Sequence, residues 1–344
     1  VIVAIIHSKI VRTLVLIGFL AVAALSLYGV RWLHQPLTAA VNGPQLIEII
    51  DGDSLYRVGH RYGGELGLTH VRFWVWYARL YNLTDIQRGE YELPRELTPV
   101  SLLRLLNSGQ VKQRTISLIE GTTLKEALSV LEQIPTLSEG EPLTPAAVRQ
   151  KLQIEQENPE GWLFPDTYAY TKQTTAWQLL EQSHKKLKRV LAQEWEGRAE
   201  NLPYETPYEA LIMASIVEKE TGVPHERAEI AGVFVRRLQQ GMRLQTDPTI
   251  IYGLGDSYQG DIKRKHLRQR TPYNTYVING LPPTPIALAG REAIHAALHP
   301  ADGSSLYFVA KGDGSHQFSA TLSQHQAAVK QFQLNRKADY RSTQ

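Results

Sequence analysis

At 344 residues with a net charge of +3 and no cysteine, the chain is long enough for roughly two or three domains. It has neither the basic excess nor the clustered Lys/Arg stripe that would imply a nucleic-acid partner, and an ordinary composition argues against disorder. The missing cysteines exclude disulfides, thiolate catalysis and cysteine-ligated zinc.

Between Arg12 and Arg31 lie 18 uncharged residues, TLVLIGFLAVAALSLYGV, close to the minimum for a membrane-crossing helix. A cleaved signal peptide is the competing reading, but the run is long for one and its Ala-rich sites, Ala21 to Ala24, fall mid-run. Lys9 and Arg12 favour a cytoplasmic N-terminus, an asymmetry that Arg31 weakens. The expected layout is a short cytoplasmic segment 1–12, a transmembrane helix 13–33, a polar Pro/Gly-bearing linker 34–44, and the remainder outside the cytoplasm.

Two later segments are alike: IIDGDSLYRV from Ile49 and LIEGTTLKEA from Leu118. Each reads as a short β-branched strand, an acidic-Gly turn and a hydroxyl-capped helix, with Thr123 and Glu126 forming a capping box in the second. The first resembles the opening of a LysM glycan-binding module; structural filler is the alternative. Thr69 to Tyr81 predicts an aromatic helix (Phe73, Trp74, Trp76, Tyr77, Tyr81) whose rings read as core, with a sugar-stacking platform as the other reading. GEYELP, Gly89 to Pro94, predicts a turn and short strand. Helices are expected over Ser101 to Ser108, Pro145 to Gln156 and Gln178 to Glu200, with a loop from Pro135 to Pro145. Lys185, Lys186, Lys188 and Arg189 read as one solvated helix face.

The segment Leu211 to Tyr252 predicts two helices and a loop. Thr206, Pro207 and Glu209 supply an N-cap, a first-turn proline and the far half of a capping box, and Gly222 and Pro224 a stop. On a 3.6-residue period Leu211, Ala214 and Ser215 lie under Glu218, while Lys219 and Glu220 point elsewhere. A carboxyl on such a face is poorly solvated, so its pKa rises toward what a general acid needs near neutral pH. The alternative is a fraying helix end in water. Beyond Tyr252 the chain reads as loop-rich up to Pro285, then a helix from Ala287 to Leu298, a strand from Leu306 to Ala310 and a closing helix from Leu322 to Asn335.

Four further segments look constrained: GWLFPDTYAY (Gly161 to Tyr170) with Asp166; LQTDPT (Leu244 to Thr249) with Asp247 in a turn; TPYNTYVINGLPPTPI (Thr271 to Ile286) with Asn274 and Tyr276; and FVAKGDGSHQFSATLSQH (Phe308 to His325) with His316 and His325. Loops dense in Tyr, Asn, Asp and Trp suit carbohydrate, offering faces to stack on and planar partners for hydroxyls. Other chemistries fare worse. HERAE at His225 lacks the second histidine of a zinc-protease helix, and no other spacing resembles a metal site. Ser315 beside His316 is not a nucleophile elbow, neither a P-loop nor a GxGxxG motif is present, and Asp313 reads as a tight turn. No metal or cofactor is implied.

Taken in order, the GDSL turn, EGTTL, LFPDTY, ASIVEKET, LQTDPT, PYNTY with GLPP, and YFVA followed by GSHQFS and a late histidine resemble the endolytic murein transglycosylases, the YceG-like or MltG family. One departure is Thr284 in GLPPTPI, where a glycine would be expected. The family's catalytic acid is the glutamate of ASIVEKE, so the resemblance implies that role for Glu218. It implies an α+β, single-pass inner-membrane protein with a LysM-like small α/β subdomain (45–115) and a larger helical, loop-rich catalytic subdomain (116–344) in the periplasm. It also implies non-hydrolytic cleavage within peptidoglycan glycan strands, between N-acetylmuramic acid and N-acetylglucosamine, leaving a 1,6-anhydromuramyl end. Strands would be terminated near their synthases, the penicillin-binding proteins. One acid suffices in such a reaction, because the muramic acid's own 6-hydroxyl attacks, whereas hydrolytic glycosidases usually need two carboxylates. Asp247, Asn274, Tyr276 and Asp166 are expected to bind sugar groups or brace the loops, and Glu220 is the runner-up acid. Two other readings stay open: an inactive membrane-anchored glycan-binding scaffold, and a hydrolase pairing Glu218 with a second carboxylate such as Asp247.

Overall fold

The computed structural model describes residues 2–37, 46–137 and 140–334, with side chains from residue 10. Most of the expected linker 34–44, two residues of the Pro135–Pro145 loop and the closing Asn335 lie outside the described residues. The chain divides into two compact units, Val1–Arg114 with Thr171–Gln173, and Thr115–Tyr170 with Thr174–Gln344.

The first unit begins with α1 (Ile2–Leu33). Helix runs through the expected cytoplasmic segment as well, because no Gly or Pro precedes Gly18 to stop it. Within it Ile10–Leu33 is apolar and long enough to cross a membrane, and its side chains are exposed from Ile10 to Tyr28. There follow β1 (Leu46–Ile49), α2 (Leu55–Leu66), α3 (Val71–Leu80), β2 (Gly89–Glu92) and α4 (Pro99–Ser108). Strands β1 and β2 pair antiparallel, Leu46 opposite Glu92 and Ile49 opposite Gly89. Ser54 caps α2, and Thr98 with Ser101 makes a capping box for α4, where Pro99 occupies the first turn. The core gathers Ile47, Val58, Trp74, Tyr91, Leu103 and Leu106, and the Trp74 indole N–H donates to Pro99 O at 2.8 Å. The aromatic helix is only partly core. In α3 just Trp74 and Ala78 are buried, since five rings within nine positions spread over more than the one stripe a helix can bury.

The second unit holds β3 (Arg114–Ser117), α5 (Leu124–Glu132), α6 (Pro145–Lys151), β4 (Thr167–Tyr170), α7 (Ala176–Glu196), α8 (Pro207–Glu220), α9 (Arg227–Gln239), α10 (Asp247–Leu254), α11 (Arg264–Arg268), α12 (Arg291–Leu298), β5 (Tyr307–Ala310), β6 (His316–Ser319) and α13 (Leu322–Val329). Strand β3 pairs with β4, and β5 with β6 in an antiparallel hairpin that sets Ala310 opposite His316. The protein is thus a mixed α+β fold with an N-terminal apolar helix. Helix α8 is the central rod of the second unit: every residue from Ala210 to Val217 is buried, which makes it apolar all round rather than amphipathic.

Three expectations are revised and one strand is new. LQTDPT is not a turn, because Asp247 and Pro248 open α10 behind Thr246. Helix α6 ends at Lys151, not Gln156. Helix α12 starts at Arg291 rather than Ala287, since Gly290 is its N-cap and the residues before it are not helical. Strand β6 had no sequence signal beyond GSHQFS itself.

Candidate active site

Helix α8 is started as its residues dictate. Thr206 Oγ1 accepts from Glu209 N, and the Glu209 carboxylate accepts from Thr206 N, each at 3.3 Å, with Pro207 in the first turn. It stops one residue earlier than Gly222: Thr221 turns extended and caps the helix. That places Glu218 in the last turn, its side chain 5% exposed.

The face under Glu218 does more than exclude water. Ser215 Oγ donates to Ile212 O at 2.7 Å and accepts from Ile286 N at 2.9 Å. One turn later Glu218 Oε2 accepts from Gly290 N at 2.9 Å. The segment 286–290 is therefore laid along α8 by two amides on two side chains. Its middle is pinned from the other side, where Leu288 N donates to Thr122 O at 2.8 Å and Gly121 N to Leu288 O at 2.9 Å. Lys219 Nζ donates to Gly121 O at 3.1 Å, so the EGTTL turn covers the helix end. Two glycines make these approaches possible. A Cβ on Gly290 would lie 2.0 Å from Glu120 Oε1, and one on Gly161, whose φ is +79°, 2.4 Å from Pro285.

Arg227, at the start of α9, brings Nη2 to 3.6 Å from Glu218 Oε1, and its own side chain is 12% exposed. Burial pushes the Glu218 pKa up; the Gly290 amide opposes this, the Glu120 carboxylate adds to it, and Arg227 opposes it. The result is a carboxyl held above the ordinary carboxylate range beside an open cleft of about 930 Å³, lined by Glu120, Thr122, Glu218, Thr221, Arg227 and Tyr258 among others.

Glu220 points away, as the helical period requires. It accepts a short hydrogen bond from Thr246 Oγ1, and burial raises its pKa to about 7, helped by Asp247 and opposed by Thr246 and Arg237. Acidity alone does not choose between the two glutamates. Glu220, Lys219, Pro248 and Ile251 line both the Glu218 cleft and a second hollow of about 530 Å³. In that hollow Tyr276 O–H donates to Asp247 Oδ1 at 2.7 Å, alongside Arg237, Tyr307 and His325. Asn274 is buried and braces its own loop, donating to His266 O and Gln269 O and accepting from Tyr276 N. Asp166 pairs with Lys186 and lines a separate hollow against α7. Thr284 satisfies its hydroxyl on Pro285 O and meets Tyr273 O–H at 2.9 Å, so the departure from glycine is built into the loop. His316 and Glu226 form a buried pair at 2.7 Å that ties β6 to the turn before α9.

Gly290, Arg227 and Glu120 were missed by sequence reasoning. Gly290 was absorbed into an overlong helix, although a glycine before Arg-Glu is an N-cap signal. Arg227 stands in the HERAE run, read only for zinc. One cluster also escaped: Glu194, His295 and His299 bring a carboxylate oxygen and two imidazole nitrogens within 4.8 Å of one another. It joins α7 to α12, which no linear spacing reveals, and both Glu194 oxygens are engaged, by Arg291 and His295.

Fold and site together define a class: an α+β protein with an apolar N-terminal helix, whose cleft presents a desolvated carboxyl equipped for general acid–base chemistry. The sequence model of the YceG-like family matches residues 47–331, and the chain belongs to that family. It is similar to a Bacillus subtilis protein named endolytic murein transglycosylase, 28% identical over 275 residues, which are 75% of this chain and 76% of that protein. A Streptococcus pneumoniae relative of the same name is 27% identical over 305 residues, 77% of this chain and 54% of that longer protein. A crystal structure of a YceG-like protein from Listeria monocytogenes is similar with a TM-score of 0.51 and 28% identity, over 83% of this chain and 99% of that one.

Proposed function

We propose that this protein is a peptidoglycan lytic transglycosylase, cleaving the bond between N-acetylmuramic acid and N-acetylglucosamine within nascent strands, with Glu218 as its general acid and base. The observation that carries the reading is the Glu218 carboxyl, desolvated yet beside an open cleft of about 930 Å³. The relatives' names support the substrate class. In the reaction Glu218 gives its proton to the glycosidic oxygen as the anomeric carbon–oxygen bond breaks. The muramic acid 6-hydroxyl attacks the anomeric carbon and passes its proton to the carboxylate, leaving a 1,6-anhydromuramyl end and regenerating the acid. No water is consumed.

Asp247 and Tyr276, in the adjoining hollow, bind the strand beyond the scissile bond, while Asn274 and Asp166 act as braces. Helix α1 anchors the protein in the inner membrane with its N-terminus cytoplasmic and the remainder periplasmic, placing it beside penicillin-binding synthases whose strands it terminates. Residues 45–115 form a LysM-like subdomain, a reading supported by the strand–helix–helix–strand order of β1, α2, α3 and β2; residues 116–344 form the catalytic one.

The test is mass spectrometry of uncross-linked glycan strands treated with the protein and with its Glu218→Gln variant. Anhydromuramyl ends on internal fragments, absent with the variant, are expected. Glu120 borders the same cleft as Glu218, so it replaces Asp247 as the second carboxylate of a hydrolytic alternative; reducing ends would select that alternative. Strands left intact by folded protein would select the scaffold.

A further inference from the structure

The face of α3 that the core leaves uncovered adjoins the one segment of membrane-spanning length among the described residues. Gly29 of α1 makes room for Phe73: a Cβ there would lie 2.8 Å from the ring. Trp32 sets its ring 5.2 Å from His70 and 5.9 Å from Phe73, edge to face, and Tyr28 O–H meets the His70 ring nitrogen at 3.2 Å. These contacts fix α3 at the level of residues 28–32, the end of the apolar stretch Ile10–Leu33.

From that junction the aromatic surface continues outward. Trp76 stacks on Phe73 at 5.8 Å, and Trp76, Leu80 and Tyr81 are 57%, 59% and 58% exposed. Positions 72, 76, 79 and 80 share a helix face, and Arg72 and Arg79 are exposed too. Between α1 and α3 lies a notch of about 600 Å³, lined by Leu25, Tyr28, His70 and Arg72 among others. Tryptophan and tyrosine with arginine on one helical face is the composition that settles at headgroup level, rings among the upper acyl carbons and guanidinium groups on phosphates.

We infer that α3 is a second membrane contact: its exposed face rests in the headgroup layer of the leaflet from which α1 emerges, with Arg72 and Arg79 on phospholipid phosphates. The occupant is the bilayer rather than a soluble partner because the face is continuous with α1, whose side chains up to Tyr28 the bilayer itself would cover. The inference rests on the anchor reading above.

The chain has no cysteine, so a nitroxide can be attached at one position at a time in the full chain, held in nanodiscs of phosphatidylethanolamine and phosphatidylglycerol. Trp76→Cys and Leu80→Cys are compared with Phe19→Cys in α1 and Lys188→Cys in α7, using relaxation by oxygen, which enriches in lipid, and by a nickel complex, which stays in water. Labels at 76 and 80 are expected to follow the label at 19, with oxygen dominating, and to differ from the label at 188. Nickel-dominated relaxation at 76 and 80 with oxygen dominating at 19 overturns the inference while leaving the anchor intact. Nickel dominance at 19 removes the anchor reading and the inference with it. Labels at 76 and 80 that are shielded from nickel only after glycan strands are added also overturn it, in favour of sugar stacking.

Discussion

Burial raises the Glu218 pKa, and three neighbours of different kinds then adjust it: a backbone amide and a cation that lower it and a carboxylate that raises it. On the proposed mechanism Glu218→Gln should reduce strand cleavage by about 10²–10⁴-fold with the thermal midpoint retained, checked by product release beside circular dichroism. Subtler changes separate acid from bystander. A general acid must start protonated, so kcat/KM falls as pH rises through its pKa. Glu120→Gln removes a repulsive charge, lowers the Glu218 pKa and should move that fall to lower pH; Arg227→Met removes an attractive one and should move it to higher pH. Opposite displacements in the two pH–rate profiles are the expected signature, and a fall that neither variant moves would assign the titration elsewhere, with Glu220 first in line.

The segment 286–290 is the element on which the site depends, because it delivers Gly290 to Glu218 while Ser215 holds its other end. Ser215→Ala leaves the buried Ile286 amide without its acceptor, which should destabilise the protein by about 1–3 kcal/mol. It should also lower kcat through a loosened Gly290, measured by thermal unfolding and turnover on the same preparation. The contrast with what the residues announce is instructive. Caps are local, so Thr206, Pro207 and Glu209 announced the start of α8, and the period alone separated Glu218 from Glu220. Segment 286–290 was misread because PIALAG is apolar and unbroken, and helix and buried irregular chain share that pattern. Its hydrogen bonds go to α8 and to the EGTTL turn, partners that no local signal names. Asp247 was similarly taken for a turn residue, since a proline after aspartate fits a first helical turn as well as a β-turn.

Across the molecule, buried carboxyls tie stability to pH. Glu160 accepts from the Leu124 and Gly161 amides and from Tyr252 O–H, and burial raises its pKa from 4.5 to about 7. Below 4.5 both folded and unfolded chains hold the proton. Between that value and about 7 the folded state keeps a proton the unfolded state has released, so the stabilisation fades as pH rises, by about 3 kcal/mol in all. Glu220 acts in the same direction. Thermal midpoints should therefore decline from pH 5 to pH 8, and Glu160→Gln should flatten the decline. Its amide oxygen can still accept from both backbone groups, while the Tyr252 hydroxyl can turn to accept from its nitrogen.

The clamp around Glu218 also fixes when the acid becomes an acid. The backbone groups that close the helix end lie far along the chain: the Gly121 carbonyl, which Lys219 holds, is 98 residues before that lysine, and the Gly290 amide on Glu218 is 72 residues after it. A chain leaving the ribosome presents Glu218 well before the segment that shuts water away from it. During that interval the carboxyl is an ordinary surface glutamate, ionised at neutral pH and without a proton to lend. On the proposed mechanism the unfinished protein is harmless to the wall beside it, and cutting power arrives only with the completed fold.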